Sequence, residues 1–112
     1  IYRVLLRKSI LDGLFFSEYD GDKIVGFALC RKLKKTNWMS IDKIGVDLDY
    51  RKRGIGSKLI DRVKLTGLPI RLDVVESNQV AIKFYIKHNF QTVGHKVLGN
   101  NVLVRIMLFK PF

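Results

Sequence analysis

The sequence has a single cysteine, so no internal disulfide can form, and Cys30 suits a reducing compartment as a small apolar residue packed in a strand. Long apolar runs are also missing. The longest, such as Val102-Leu103-Val104 and Ile106-Met107-Leu108-Phe109, fall far short of the ~20 residues a membrane-spanning helix needs. No membrane span and a cytoplasmic location are therefore expected. There are only two prolines, with no Pro/Ser/Gly linker, no repeat and no low-complexity tract, so residues 1–112 are expected to form one domain. The two histidines, His88 and His95, stand at no metal-ligand spacing, and no metal site is expected. Acidic side chains are scarce: 10 face 21 basic ones, a net charge of +11. A field of that sign attracts phosphates, nucleic acid or acidic protein surfaces, and composition alone does not choose among them. Apolar residues at 47% and charged residues at 28% point to a folded globular chain and away from disorder. Ile1 stands where a start methionine is expected, which leaves a missing or processed N-terminus open.

Along the chain, Leu5, Leu6, Ile10 and Leu11 lie among basic residues and read as the end of a helix. Residues 14–19 form an aromatic-rich strand, Asp20-Gly21-Asp22 a turn, and residues 23–31 a returning strand. A third strand spans about 38–46. From Gly54 onward, Ile55, Leu59, Ile60 and Val63 fall at helical spacing, and Gly67-Leu68-Pro69 stops the helix. Residues 70–75 alternate, with Ile70, Leu72 and Val74 on one face and Arg71, Asp73 and Val75 on the other. Ser77 or Asn78 can cap a second helix with the stripe Val80, Ala81, Phe84, Tyr85, and Asn89 suits a left-handed C-terminal position. Residues 91–98 and 102–109 flank Gly99-Asn100-Asn101 as a second hairpin. The order predicts an α+β fold: a mixed, mostly antiparallel sheet of about six strands with two main helices, near 54–66 and 78–88. At one strand end, Arg31-Lys32-Leu33-Lys34-Lys35 is either a solvated, aggregation-resistant edge or a contact for an acidic partner or RNA.

The most chemical segment is Arg51-Lys52-Arg53-Gly54-Ile55-Gly56-Ser57. Glycines let backbone N–H groups approach an anion, and a helix beginning there adds free donors and the positive end of its dipole. The bland alternative is a glycine turn beside a solvated basic cluster. A Walker A loop and a Gly-x-Gly-x-x-Gly dinucleotide loop are both excluded by spacing.

Residues 44–59, I-G-V-D-L-D-Y-R-K-R-G-I-G-S-K-L, resemble the cofactor-binding motif of the GNAT superfamily of N-acetyltransferases: a strand, a turn, then R/Q-x-x-G-x-G/A opening a helix. Residues 72–90, L-D-V-V-E-S-N-Q-V-A-I-K-F-Y-I-K-H-N-F, resemble the family's next strand and helix. The resemblance covers about residues 14–109. It implies acetyl-CoA as cosubstrate, without a metal, and a parallel third and fourth strand that splay apart. The amides of Arg51, Lys52, Arg53, Gly54, Ile55, Gly56 and Ser57 would hold the CoA pyrophosphate, and Gly56→Asp would block it while sparing the fold. The backbone of Ile44, Gly45 and Val46 would pair with the pantetheine arm, and Asn78 would touch that arm from the other side. Tyr85 would protonate the departing thiolate, and Lys87 would reach the ribose phosphate. Asp73, five positions before the Asn, resembles the base of some N-terminal acetyltransferases in the family; Asp42 or water is the alternative. Ser40 stands near the position where protein-lysine members carry a glutamate.

Two departures stand out. Asn89 replaces the usual Gly before the closing Phe, and only about a dozen residues precede the first hairpin. Either the chain is truncated, or a partner subunit such as a second copy in a homodimer completes the acceptor groove. The acceptor is then an amine of a small molecule, a protein N-terminus or a lysine. The competing classes are an RNA-associated or toxin-like enzyme acting on aminoacyl-tRNA, and a non-catalytic CoA-binding domain.

Overall fold

The computed structural model describes residues 14–111, and the helical reading of residues 1–11 lies outside them. The strands are β1 (Phe15–Asp20), β2 (Lys23–Lys32), β3 (Met39–Val46), β4 (Ile70–Val75), β5 (Gln91–Leu98) and β6 (Val102–Phe109). The helices are α1 (Ile55–Lys64) and α2 (Gln79–Lys87). All six strands join one sheet in the order β1-β2-β3-β4-β6-β5. Every pairing is antiparallel except β3 with β4. A parallel pair needs a crossover connection, and α1 supplies it. The mixed, mostly antiparallel α+β sheet is as expected.

The alternation in β4 sets the inner face. Ile70, Leu72 and Val74 are buried and join Leu59, Ile60 and Val63 of α1, Ile82 and Tyr85 of α2, and Met107 of β6 in one cluster. Both helices therefore lie on the same side of the sheet. Each fully buried Leu, Ile or Val contributes about 1.5–3 kcal/mol, so α1 is anchored mainly by three side chains at helical spacing. Arg62 and Lys64 in its last turn complement the helix dipole. The expected α2 stripe needs correction: Val80 is 84% exposed, and Ile82 is buried instead. Two positions on an α-helix turn ~200°, so Ile82 and Val80 point to opposite sides. Ala81, Phe84 and Tyr85 do pack inward.

One irregularity shapes the middle of the sheet. Leu29 pairs with Lys43 but Cys30 pairs with Ile41, so β3 carries Asp42 as an extra, bulged residue. Met39 and Ile41 face the core before the bulge, and Ile44 and Val46 pack toward it afterwards. A bulge bends and twists its strand. Pairing of β3 with β4 stops at the same level: Met39 with Ile70, Ser40 with Arg71, Ile41 with Leu72, and nothing further. The two strands splay from there, as expected for the pair.

Helix α1 can seat on β2 only because Gly26 has no side chain. A Cβ there would lie 2.6 Å from Cγ2 of Ile55 and 3.2 Å from Cδ1 of Leu59. Ile55 Cγ2 is branched at Cβ and has little freedom to retreat. Gly26→Ala is therefore expected to destabilise the fold by about 1–3 kcal/mol, the usual cost of overpacking. A urea unfolding curve with an unmoved midpoint would show that α1 adjusts without strain.

Candidate active site

Beyond Ile41 the β4-facing edge of β3 has no strand partner, while β2 still pairs with Ile44, Gly45 and Val46 on the other edge. Beyond Leu72, β4 keeps only β6. The splay thus exposes a length of backbone able to pair with an extended chain, and the three residues expected to do so lie along it.

The loop that follows leads back to the mouth of this gap. Asp47 accepts from the Asp49 amide at 3.0 Å and holds the turn, and that hydrogen bond keeps its carboxyl below the usual range. Tyr50 is fixed by a hydroxyl bond to Asp20 at 2.5 Å, with Lys23 and Arg53 over its ring at 5.2 and 4.9 Å. Arg51 donates to the Val46 carbonyl at 3.4 Å. Lys52 and Gly54 both take left-handed backbone, at φ +63° and +80°. Gly54 is the N-cap of α1 and offers no side chain to cap it. The amides of Ile55, Gly56 and Ser57 are left without intrahelical acceptors, beside three exposed cations. The other helix differs, because Asn78 closes the α2 N-terminus by accepting from the Ala81 amide at 3.2 Å. Alternating left-handed residues and an open helix end are the backbone ingredients of an anion cradle.

The C-terminal end of α2 packs beside that cradle. Ser57 Oγ is 2.9 Å from His88 Nε2, and the His88 ring lies 4.7 Å from Phe84. Burial, helped by Lys64 and Lys87, lowers the His88 pKa, so the imidazole is neutral at neutral pH. Lys64 donates to the His88 carbonyl at 2.7 Å. Lys87, one residue before His88, is exposed. A Cβ on Gly56 would stand 3.1 Å from Phe84 Cζ. Gly56→Asp would therefore ask Phe84 to give by a few tenths of an ångström, so the position touches helix packing as well as the cradle. Tyr85 is 7% exposed, with its ring against Phe84 and Phe90, and burial pushes its phenol up to about 12. No group among the described residues hydrogen-bonds its hydroxyl, yet no buried polar atom is left unpaired, so the hydroxyl reaches open space.

Asp73 lies on the other sheet face, away from both helices. It is paired with Lys96 at 2.7 Å and Arg71 at 3.4 Å. Asp42 is held by Arg31 through two nitrogens and accepts from Ser40 at 3.0 Å. Cys30 is fully buried beneath, and burial with Asp42 raises its thiol to about 12, which leaves it inert. Three contributors were given no part in the site by the sequence: Phe84 read only as helix stripe, His88 only as a non-ligand, and Glu76 not at all. His88 and Phe84 share one helical face, four residues apart, against the glycine loop. Glu76, two residues before Asn78, binds Arg105 at 2.8 and 2.6 Å and His95 at 2.9 Å. Those bonds tie the head of α2 to the β5–β6 hairpin.

A mixed sheet parted at its parallel pair, with an uncapped, cation-flanked helix end beside the gap, defines an α+β class with an open strand edge at its centre. Residues 3–90 match the Acetyltransferase (GNAT) family. The chain belongs to that family. An uncharacterized N-acetyltransferase of Methanocaldococcus jannaschii is 38% identical over 96 residues, covering 77% of this chain and 42% of that protein. This chain thus spans less than half of that relative's length. A Bacillus anthracis acetyltransferase named for streptothricin, solved with acetyl coenzyme A, superposes with a TM-score of 0.78 at 25% identity, over 86% of this chain and 61% of that one. An Arabidopsis thaliana protein solved with the bisubstrate analogue CoA-Ac-MVNAL gives 0.76 at 26% identity, over 92% and 80%.

The Glu76 cluster carries a pH signature. Arg105, then His95 and Gln79, hold the Glu76 carboxyl down at about 2, below its ordinary 4.5. A depressed carboxylate stabilises the fold fully above the unfolded value and loses that contribution as pH falls from about 4.5 toward 2. Wild type is expected to exceed Glu76→Gln in urea midpoint at pH 6, with the gap closing by pH 2. A gap that persists at pH 2 would assign the effect to shape instead of charge.

Proposed function

We propose that this chain binds acetyl-CoA in the splay between β3 and β4 and transfers the acetyl group directly to a primary amine. The observation that carries this reading is the unpaired edge of β3 running to an uncapped, cation-flanked helix N-terminus. An extended amide-bearing arm with an anionic head matches both features at once. The amides of residues 53–57 hold the pyrophosphate, with Arg51, Lys52 and Arg53 supplying charge and Lys87 reaching the ribose phosphate. Ile44, Gly45 and Val46 pair with the arm. Asn78 has its side-chain oxygen committed to the helix cap, so its amide nitrogen is the group that meets the arm. The thioester supplies the acetyl group, and the acceptor is an amine of a small molecule, a protein N-terminus or a lysine.

Direct transfer asks for orientation, a neutral amine and stabilisation of the leaving sulfur. Tyr85 serves the sulfur. A phenol near 12 is fully protonated at neutral pH, and it stands well above an ordinary thiol at ~8.5. In water it would be a poor acid toward a thiolate. In a dry cleft the thiolate is also destabilised, which narrows the mismatch, and the hydrogen bond from Tyr85 strengthens as charge develops. Asp73, on the opposite face just past the last paired residues, takes the amine proton directly or through water.

Two substitutions test the assignment. Gly54 has open space around its missing Cβ but a left-handed backbone, so any side chain there is strained. Gly54→Asn imposes that strain without charge, whereas Gly54→Asp also puts a carboxylate in the cradle. Calorimetry is expected to show CoA affinity at least about tenfold weaker for Asp than for Asn, since hydrogen bonds to charged groups are worth about 1.5–3 kcal/mol. Equal affinities would remove the pyrophosphate from this loop.

Tyr85→Phe keeps the ring packing and deletes a hydroxyl that has no partner among the described residues, so stability is expected to change little. The rate loss is expected in kcat, by about 10²-fold or more, with KM for acetyl-CoA unchanged. Wild-type turnover would reduce Tyr85 to a core residue.

A further inference from the structure

On the sheet face opposite the helices, a groove of about 350 Å³ opens at the foot of the splay. Arg31, Ser40, Asp42, Arg71, Asp73 and Lys96 line it. Asp42 and Asp73 are the first residues past the last β3–β4 pair, Ile41 with Leu72, so the groove meets the gap between the strands from behind. Its charges are arranged unevenly. Asp42 is closed off, 10% exposed and bonded to Arg31 and Ser40. Asp73 is 33% exposed and shared between Lys96 and Arg71, themselves 42% and 39% exposed. Arg71 spends only its Nε on Asp73; among the described residues its terminal nitrogens have no hydrogen-bond partner. The accessible part of the groove is thus one carboxylate flanked by Arg71 and Lys96, which have donors to spare, with Arg31, 37% exposed, beside Asp42.

That arrangement is a poor seat for a plain or polycationic amine, which would meet Arg31, Arg71 and Lys96 before Asp73. It complements a molecule carrying both signs. We propose that the groove receives a zwitterionic acceptor, an amine with a carboxylate a few bonds away. The acceptor carboxylate takes over Arg71 and Lys96, and Asp73, released from them, takes the ammonium. This deepens the acetyltransferase reading and rests on it. The nitrogen then forms the C–N bond as the thioester C–S bond breaks, with the electron pair leaving on sulfur. Of the two protons the nitrogen sheds, one is balanced by the proton Tyr85 gives to sulfur and the other passes through Asp73 to solvent. The carboxylate can belong to a free amino acid or to an acidic residue opening a peptide.

The test compares acetyl-CoA turnover on free amino acids, the same amino acids as C-terminal amides, peptides opening with an acidic or a neutral residue, and spermidine. Carboxylate-bearing amines are expected to exceed their neutral counterparts by about tenfold in kcat/KM, mostly through acceptor KM, as loss of a charged hydrogen bond implies. The free amino acids and the acidic peptides separate the two sources. In the double variant Arg71→Gln, Lys96→Gln, the acid-to-amide ratio is expected to fall to within about twofold while calorimetric CoA affinity holds. With CoA bound, the proposal is overturned if amides or spermidine are acetylated as well as the acids, if no carboxylate-bearing amine is acetylated, or if the double variant keeps the preference. Absence of CoA binding would instead bring down the acetyltransferase reading, and this inference with it.

Discussion

Everything distinctive about this fold depends on a hydrogen-bonded ladder that stops early. β3 and β4 pair over three residues and then part, at the level where the bulge at Asp42 turns β3. Unpaired backbone donors and acceptors are costly when buried, so a sheet parted in its middle must leave that edge to water or to another chain. In the proposed reading, an extended molecule in the gap restores the ladder. The splay is the reason a sheet otherwise held together by four antiparallel pairings has a gap at its centre.

The helices keep the gap open and aim a charge at it. Helix α1 bridges the parallel pair and lies against β2 through Gly26, which fixes where its uncapped end emerges. Helix α2 packs its Phe84 against Gly56 and its His88 against Ser57, so the two helix ends meet at the basic loop. Glu76 and Arg105 fasten the head of α2 to the β5–β6 hairpin. Burial sits unevenly across these parts. The aliphatic side chains that carry α1 are fully buried, while the loop cations and Lys87 stay exposed where an anionic ligand can reach them.

In the reaction proposed above, the two sheet faces divide the chemistry. The helix side presents the Tyr85 hydroxyl from a dry aromatic cluster, and the opposite side presents Asp73 among cations. An acid toward sulfur and a base toward nitrogen need different surroundings, one apolar and one polar. Asp73 comes from β4 and Tyr85 from α2, which covers the other face, and the splay connects the two sides.

Much of this was legible in the amino-acid order because it is local. Period-two alternation marked β4, helical spacing marked α1, and Asn89 declared left-handed backbone, which it adopts at φ +70°. The loop of residues 51–57 was readable for the same reason: glycine and cation spacing is a property of consecutive residues. Tertiary structure decided the rest. Val80 looked like core, but which side of a short helix faces the sheet depends on what it packs against. Gly56 read as an anion-cradle residue, and only the approach of Phe84, 28 residues later (84 − 56), shows that it is also a packing position. The bulge at Asp42 depends on its register with β2, and the Asp73–Lys96 and Glu76–Arg105 pairs join strands and a helix head far apart in the chain. Such contacts leave no periodic trace, because a salt bridge needs two side chains to meet in space and sets no rule on the residues between them.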